Sequence, residues 1–530
     1  MASFGGSLNI GTSAIHAAQR GLDITGQNIA NSATEGYTRQ RVELESIGGP
    51  GIPAFWSRYD GVGEGVKITG IKRMNDEFLE ARSRNSNAAL GNVEEQAKTM
   101  AAIERTFGEP STTGLQSKLA DFWNAWGKVA NDPKGEAPKA LVYERAGEVA
   151  NHLNMMANAV HTQWEDASAE MSANVTDINV MAADVARLNE AIRQNNIAKV
   201  PANELLDQRD LLIKRISTLT GATVKPASLD QNADFNSQAV DVFIGGNKLV
   251  DGVSYSKLEM TPPYDPTYSY PTNGTQPPAV SVTWGARFAT DGHMISAAPT
   301  VPVDSTDPTG PQKAVETAII SGRIAGQMDG MNVTIPSYLQ QLDNVAKQFA
   351  DTVNTQQTKG YSFDMVDGAP TNAQKGVALF ASYTNGVSGD PVMNAANIQL
   401  ARNTDASSLA TSRGNPTGTW TDANGDEQPK SLDGDNALDM SKHLSDVAGA
   451  DAQYRSLVVK LGTETQSVNR NVEVQRNVVK QAEDARDNVA GVSLNEEMTN
   501  LIRFQHSFSA AAKFIGVIDQ TMETLINMTR

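Results

Sequence analysis

Apolar residues recur along this chain with two different periods, and glycine and proline mark where one gives way to the other. Residues 148–200 contain neither, and Pro201 closes the run. Within it Leu153, Met156, Val160, Trp164, Ala167, Met171 and Val175 follow at steps of three and four, continued by Ile178, Met181, Val185, Leu188 and Ile192. The mean step, about 3.5 residues, is that of a helix whose single apolar seam packs on other helices. One helix of roughly 80 Å is predicted. It needs partners along its length, since most helical stability comes from packing. Leu339, Leu342, Ala346, Phe349 and Val353 repeat the pattern after Pro336, a residue suited to a first helical turn. Residues 463–490, again free of Gly and Pro, carry Val468, Val472, Val479, Ala482 and Val489 near one stripe. Shorter helical patterns cover residues 87–107 and 115–129. Together these predict an elongated bundle built from segments distant in sequence.

Between residues 221 and 312 the period becomes two. Val240 to Ile244, Gly245-Gly246-Asn247 and Lys248 to Val250 read as a hairpin, and Val280, Val282 and Trp284 as a half-buried strand. Six prolines between Pro262 and Pro278 exclude a helix there and predict a surface loop. A second non-helical excursion, residues 360–439, is rich in Gly, Asn, Asp and Ser.

Both ends return to the helical period. Phe4, Leu8, Gly11, Ile15, Ala18, Leu22, Thr25 and Ile29 step by 4 and 3 in alternation. This helix should stop near Asn31, with Gly36 free to adopt the left-handed conformation. Leu494, Met498, Leu501, Phe508, Ala512, Ile515, Ile518, Met522 and Leu525 form a wider stripe, broadened by Phe504 and Phe514. Isolated terminal helices fray unless tied down. The two seams are therefore expected to pair with each other and to leave apolar flanks for further copies of the same chain. The candidate assembly residues are Phe4, Leu8, Ile15, Leu22 and Ile29 with Leu494, Met498, Leu501, Phe508, Ile515, Ile518, Met522 and Leu525.

The expected fold is mainly α: paired coiled-coil-like terminal helices, an elongated long-helix bundle and an inserted small β-rich domain. Its divisions are residues 1–40 and 491–530 for the terminal helices, 41–220 and 313–490 for the body, and 221–312 for the insertion. Composition narrows the function. A net charge of −17 argues against nucleic-acid binding, and zero cysteines exclude disulfide scaffolds, thiolate zinc sites and cysteine nucleophiles. No stretch approaches the ~18 apolar residues of a membrane span. No basic residue precedes Arg20, so a cleavable secretory signal is not expected.

Ser7-Leu8-Asn9-Ile10-Gly11, Gln27-Asn28-Ile29-Ala30-Asn31 and Thr34-Glu35-Gly36-Tyr37-Thr38-Arg39-Gln40 resemble the N-terminal signature of bacterial flagellar axial proteins, the rod, hook and hook-associated families. Gly491 to Glu497, Leu501 to Gln505 and Ala510 to Lys513 resemble the other end of the same proteins. Asn203 to Leu212 and residues 114–154 and 336–360 are similar to the hook-associated branch at the hook–filament junction; the likeness fades over residues 221–312. The resemblance implies a structural protein, exported unfolded and uncleaved through the flagellar type III apparatus. It would lie above the hook protein and beneath a second junction protein and the filament, with a cytosolic chaperone on its C-terminal helix before export. The alternatives are a hook or distal-rod protein, a secreted enzyme with its site in the β insertion, and a membrane-inserting translocator. The last is disfavoured because Asn, Gln, Asp and Arg interrupt the apolar seams.

Catalytic signatures are absent from the sequence. None of the six histidines falls in H-E-x-x-H or a nucleophile elbow; His16 and His506 read as ordinary helix-surface or interface residues, and no phosphate-binding loop occurs. No cofactor or metal is therefore expected. Asp422, Asn424 and Asp426 copy three positions of a calcium loop, but Glu427 stands where glycine is required and Asp433 where glutamate is, so a hairpin turn is the expectation. Glu204, Asp207, Arg209 and Asp210 are expected to cap and ion-pair the helix that follows Pro201. Gly61 to Gly65 reads as a flexible connector.

Overall fold

The computed structural model describes all residues except 1, 49–62, 64, 228–237, 273–274, 303–311, 368, 385–386, 389–391, 418, 422–426, 430–432 and 529–530. The chain opens with α1 (Ala2–Ala30), and Gly36 takes φ +81 just beyond it, as its sequence position requires. An antiparallel pair follows, β1 (Gln40–Ile47) and β2 (Gly65–Arg73), inside residues assigned from the sequence to the helical body, and Gly65 of the expected connector begins β2. Residues 61, 62 and 64 of that connector lie outside the described residues. Gly65 sits at φ +115 against α1, where a Cβ would meet Ser13 Oγ at 2.3 Å.

Three helices then build the body: α2 (Glu77–Phe107), α3 (Leu115–Asn131) and α4 (Glu136–Ile197). Asp76 opens α2 by accepting from the amides of Phe78 and Leu79 at 2.9 and 3.1 Å. With 62 residues α4 is about 90 Å long. Its seam is the expected one, but it starts three turns before residue 148. Pro138 lies in the first turn, where no backbone donor is needed, and Gly147 is carried inside the helix. After α5 (Asn203–Thr220) come six strands, β3 (Thr223–Pro226), β4 (Val240–Ile244), β5 (Asn247–Asp251), β6 (Ser254–Thr261), β7 (Ser281–Ala289) and β8 (Met294–Ser296). They form one antiparallel sheet in chain order. The expected hairpin is β4–β5, with Gly245 and Gly246 both at positive φ in its two-residue turn. Val242, Val250, Leu258 and Val282 on this sheet join the same hydrophobic core as Ile178, Ala182 and Val185 of α4. The proline-rich loop between β6 and β7 is anchored as well: Tyr270 is buried, stacked on His161 of α4 with ring centroids 4.3 Å apart.

Pro336 does not begin a separate helix. The short α6 (Arg323–Asp329) runs through a π turn (Gly330–Thr334) straight into α7 (Ile335–Lys359), whose Leu339, Leu342, Ala346, Phe349 and Val353 are all buried. Short strand pairs fill much of residues 360–439. Asp422, Asn424 and Asp426 lie outside the described residues; the flanking Thr419–Thr421 and Glu427–Pro429 pair antiparallel. The chain ends with α8 (Asp435–Lys442), α9 (Ala450–Ala490) and α10 (Leu494–Met528). Phe122 and Trp123 of α3 meet Phe349 of α7 at 5.1 and 5.6 Å, and Trp123 Nε1 donates to Asp451 Oδ2 of α9 at 2.7 Å. Among the described residues no helix is long and apolar enough to cross a membrane.

Candidate assembly site: the paired terminal helices

The two termini meet. Gly11 faces Ile515, Gly21 faces the Phe504 ring, and Asn28 bonds Glu497, so α10 runs antiparallel to α1. A Cβ at Gly11 or Gly21 would lie 2.6 or 2.5 Å from those side chains. Small residues on α1 thus make room for large ones on α10, which lets the helices approach closely. On α1 the buried positions among the described residues are Gly11, Ala17, Ala18, Gly21, Ile24, Thr25 and Asn28. On α10 the side facing them is Glu497, Leu501, Phe504, Phe508, Ala511, Ile515 and Ile518, all buried or half-buried.

The seam expected on α1 divides in the structure: its small members Gly11, Ala18 and Thr25 are buried, and its large ones lie to one side. Leu8 is 41% exposed, and Ile15, Leu22 and Ile29 are half-buried on the flank. They are spaced by seven residues and form a ridge beside the contact. The Phe4 side chain lies outside the described residues. On α10, Leu501, Phe508, Ile515 and Ile518 are the inward residues, whereas Leu494, Met498, Met522 and Leu525 are exposed. Ile502, Phe514 and Val517 add to the exposed apolar surface, and His16 and His506 are exposed as expected.

At the base of the pair lies a polar cluster that joins it to the body. Asn28 Oδ1 accepts from Tyr37 Oη at 2.8 Å and from the Gln40 amide at 3.0 Å, while its Nδ2 donates to the Gln40 carbonyl at 2.9 Å and to Glu497 Oε2 at 3.0 Å. Arg39 bridges Glu496 and Glu497 at 2.7 and 2.8 Å, and its amide donates to the Ala490 carbonyl that ends α9. Arg73 reaches Asp207 and Asp210 of α5, each at 2.8 Å, and donates to Thr38 Oγ1. Asn203 donates to Gln40 Oε1, and Gln27 to Glu204 Oε1, both at 3.0 Å. Burial, with Asp207, Glu204 and Glu497 nearby, pushes the Tyr37 hydroxyl up to about 12, so it stays a donor. Burial also raises Asp207, against the pull of Arg73; desolvation pushes half-buried Asp210 the same way, but Arg209 and Arg73 hold it below the usual carboxylate range.

The acidic cluster of α5 therefore does ion-pair, but with Arg73 across the fold as well as with neighbouring Arg209. It does not cap: the residue before α5 is Ala202, without a side-chain cap. Sequence reasoning found these motifs separately and missed that they converge. Their shared clue was polar side chains inside otherwise apolar helical patterns, which in a core need partners.

Comparison with known proteins places this geometry. The family described as "Flagellar hook-associated protein FlgK helical domain" matches residues 100–373, just over half the chain. The chain belongs to the flagellar hook-associated protein family. Both terminal helices of this hook-associated protein also match broader flagellar families: "Flagella basal body rod protein" over residues 8–38 and "Flagellar basal body rod FlgEFG protein C-terminal" over residues 468–528. Flagellar hook-associated protein 1 of Bacillus subtilis is 28% identical, covering 97% of this chain and 96% of the relative. Its namesake in Salmonella typhimurium is 22% identical over 98% and 99%, and that in Escherichia coli 23% over 98% and 99%. The solved flagellar hook junction protein FlgK from Burkholderia pseudomallei has the same fold, with a TM-score of 0.54 and 15% identity, covering 78% of this chain and all of that one. The family-defining match thus falls on the body and the insertion, while the paired helices carry the part common to rod and hook proteins.

Proposed function

We infer that this chain is a structural subunit of the bacterial flagellum at the junction between hook and filament, and that its working part is the pair α1–α10. The observation that carries this is the apolar surface the pair leaves uncovered. The ridge of Leu8, Ile15, Leu22 and Ile29 runs along one flank of α1, and Leu494, Met498 and Ile502 along one flank of α10. A ridge repeating every seven residues is what one helix offers to another. Contiguous apolar surface of this kind marks an interaction site, and further copies of the same chain, arranged around a tube, would cover it. Leu501, Phe508, Ile515 and Ile518 hold the pair together; Leu8, Ile15, Leu22, Ile29, Leu494, Met498, Met522 and Leu525 face outward to neighbours.

The same reading assigns residues 1–40 and 491–530 to one assembly domain, with the body at 41–220 and 313–490 and the insertion at 221–312. Hook protein below, a second junction protein and the filament above, and an export chaperone on α10 are the partners it implies. Catalysis has no place in it, since the relatives bear the names of structural flagellar proteins.

Charged substitutions on the two flanks of α10 test the assignment. Met498 and Val517 are 49% and 57% exposed, on opposite flanks of the helix. In the full chain Met498→Asp with Val517→Asp should leave the helical content and melting temperature of the free subunit unchanged. Incorporation at the hook tip and swimming should be lost. Normal incorporation of a folded double variant would refute the terminal-helix mechanism.

A further inference from the structure

The two facing seams have a property that neither helix reveals alone. On α1 the seam runs Gly11, Ala14, Ala18, Gly21, Thr25, Asn28, and on α10 Leu501, Phe504, Phe508, Ala511, Ile515, Ile518, after Glu497. Both follow steps of 3 and 4 throughout. Small residues occupy the α1 seam and mostly large ones the α10 seam, so sliding one helix by seven residues, about 10 Å, again sets small against large. The steric pattern repeats and does not choose an alignment. A single polar pair breaks the repetition: Asn28 and Glu497, at the last α1 position and the first α10 position, with side chains buried to 1% and 2% exposure. A slip would separate the Asn28 amide from Glu497 and the Glu497 carboxylate from Arg39, leaving buried polar groups without partners. In coiled coils, one polar residue at a core position fixes alignment at some cost in stability.

We propose that the buried cluster of Asn28, Tyr37, Arg39 and Glu497 is a register pin, which holds α1 and α10 in one antiparallel alignment within the free subunit. Tyr37 and the Gln40 amide hold Asn28 from the body side, and Arg39, tied through its backbone to Ala490 and Met74, holds Glu497. The pin therefore couples alignment of the pair to its seating on α9 and β2. This deepens the reading of the pair as the assembly element, because only a fixed alignment presents the same apolar face on every copy.

The native chain lacks cysteine, so paired cysteines report the alignment without background. The contacts Gly11–Ile515 and Gly21–Phe504 put Ala14 level with Ala511. Ala14→Cys with Ala511→Cys therefore reads the native alignment, and Ser7→Cys with Ala511→Cys reads a slip of one heptad. Each pair is oxidised in dilute full-length monomer, alone and with Glu497→Leu or Asn28→Ala. The otherwise native protein should give only the Ala14–Ala511 disulfide. Glu497→Leu and Asn28→Ala should each gain the Ser7–Ala511 product by at least an order of magnitude while circular dichroism keeps its helical signal; where one of them unfolds, the other decides. Native-only crosslinking in both variants overturns the proposal. So does loss of both products, which would make the cluster a source of affinity and not of alignment. Because the readout is on monomer, its failure is distinct from failure of the assembly reading, which incorporation at the hook tip reports.

Discussion

Asp343 illustrates how a single side chain here can be held against its preference. It sits on α7 beside His161, Tyr270 and Asn394, where its Oδ1 accepts from the Ala395 amide at 2.9 Å. Burial raises its carboxyl to about 6 despite that hydrogen bond, so at neutral pH the fold carries a poorly solvated charge. A folded-state value above the unfolded one means that the neutral form is the stabilising one. Its contribution is complete below about pH 4 and is lost as pH rises through 6. Asp343→Asn keeps the acceptor and removes the charge. It should raise stability at pH 7.5 by about 1–2 kcal/mol, and the gain should shrink toward zero near pH 4. Urea melts at the two pH values check this, and an equal gain at both would contradict it. Gly11 and Gly21 show the opposite case, in which a missing side chain is the requirement: each leaves the space that a bulky α10 side chain fills.

At the scale of elements, asparagines on helices bracket the excursions. Asn179 on α4 donates to the Leu258 carbonyl at 2.8 Å and accepts from its amide at 2.7 Å; Asn332 does the same for Val280, and Asn354 for Phe380. Asn189 of α4 holds the carbonyls of both Val240 and Gly252. These bonds satisfy strand backbone that would otherwise be buried unpaired against a helix. Asn179→Ala removes two of them, so the protein should lose about 2–4 kcal/mol. Hydrogen exchange should quicken in β6 and β7 before the helices, and uniform quickening would contradict the bracket. The helical seams were legible because steps of three and four persist over many turns in α4 and α7. The helix starts were not, because Gly147 and Gly462 lie inside α4 and α9 and packing outweighs their low helix propensity. The β1–β2 pair carried an alternating signal at Val42 and Leu44 against Val66 and Ile68, but it is short and broken by a bulge after Glu43. At the assembly site the apolar periodicity identified the two helices but not their facing sides. Spacing cannot separate a seam of small residues from a ridge of large ones on the adjacent flank.

For the whole molecule, the helical body, the β sheet and the terminal pair are held together in different ways. The body is a continuous core running from α3 and the long α4 through α7 to α9, and the sheet packs on it through α4. The terminal pair is bound to that body by the polar cluster around Asn28, Arg39, Arg73 and Asp207, while much of its apolar surface faces outward. On the proposed reading, the body carries a pre-aligned pair whose outward apolar flanks bind neighbouring copies, which suits a structural part of the flagellum. The most direct measurement is thiol labelling of Leu8→Cys and, separately, Met498→Cys, in the free subunit and in hook–filament junctions assembled from it. Both cysteines should react rapidly in the free subunit and at least an order of magnitude more slowly once assembled, because neighbouring copies cover them. Equal rates in the two states would mean that the exposed apolar flanks remain in water, and the account of assembly through the terminal helices would be wrong.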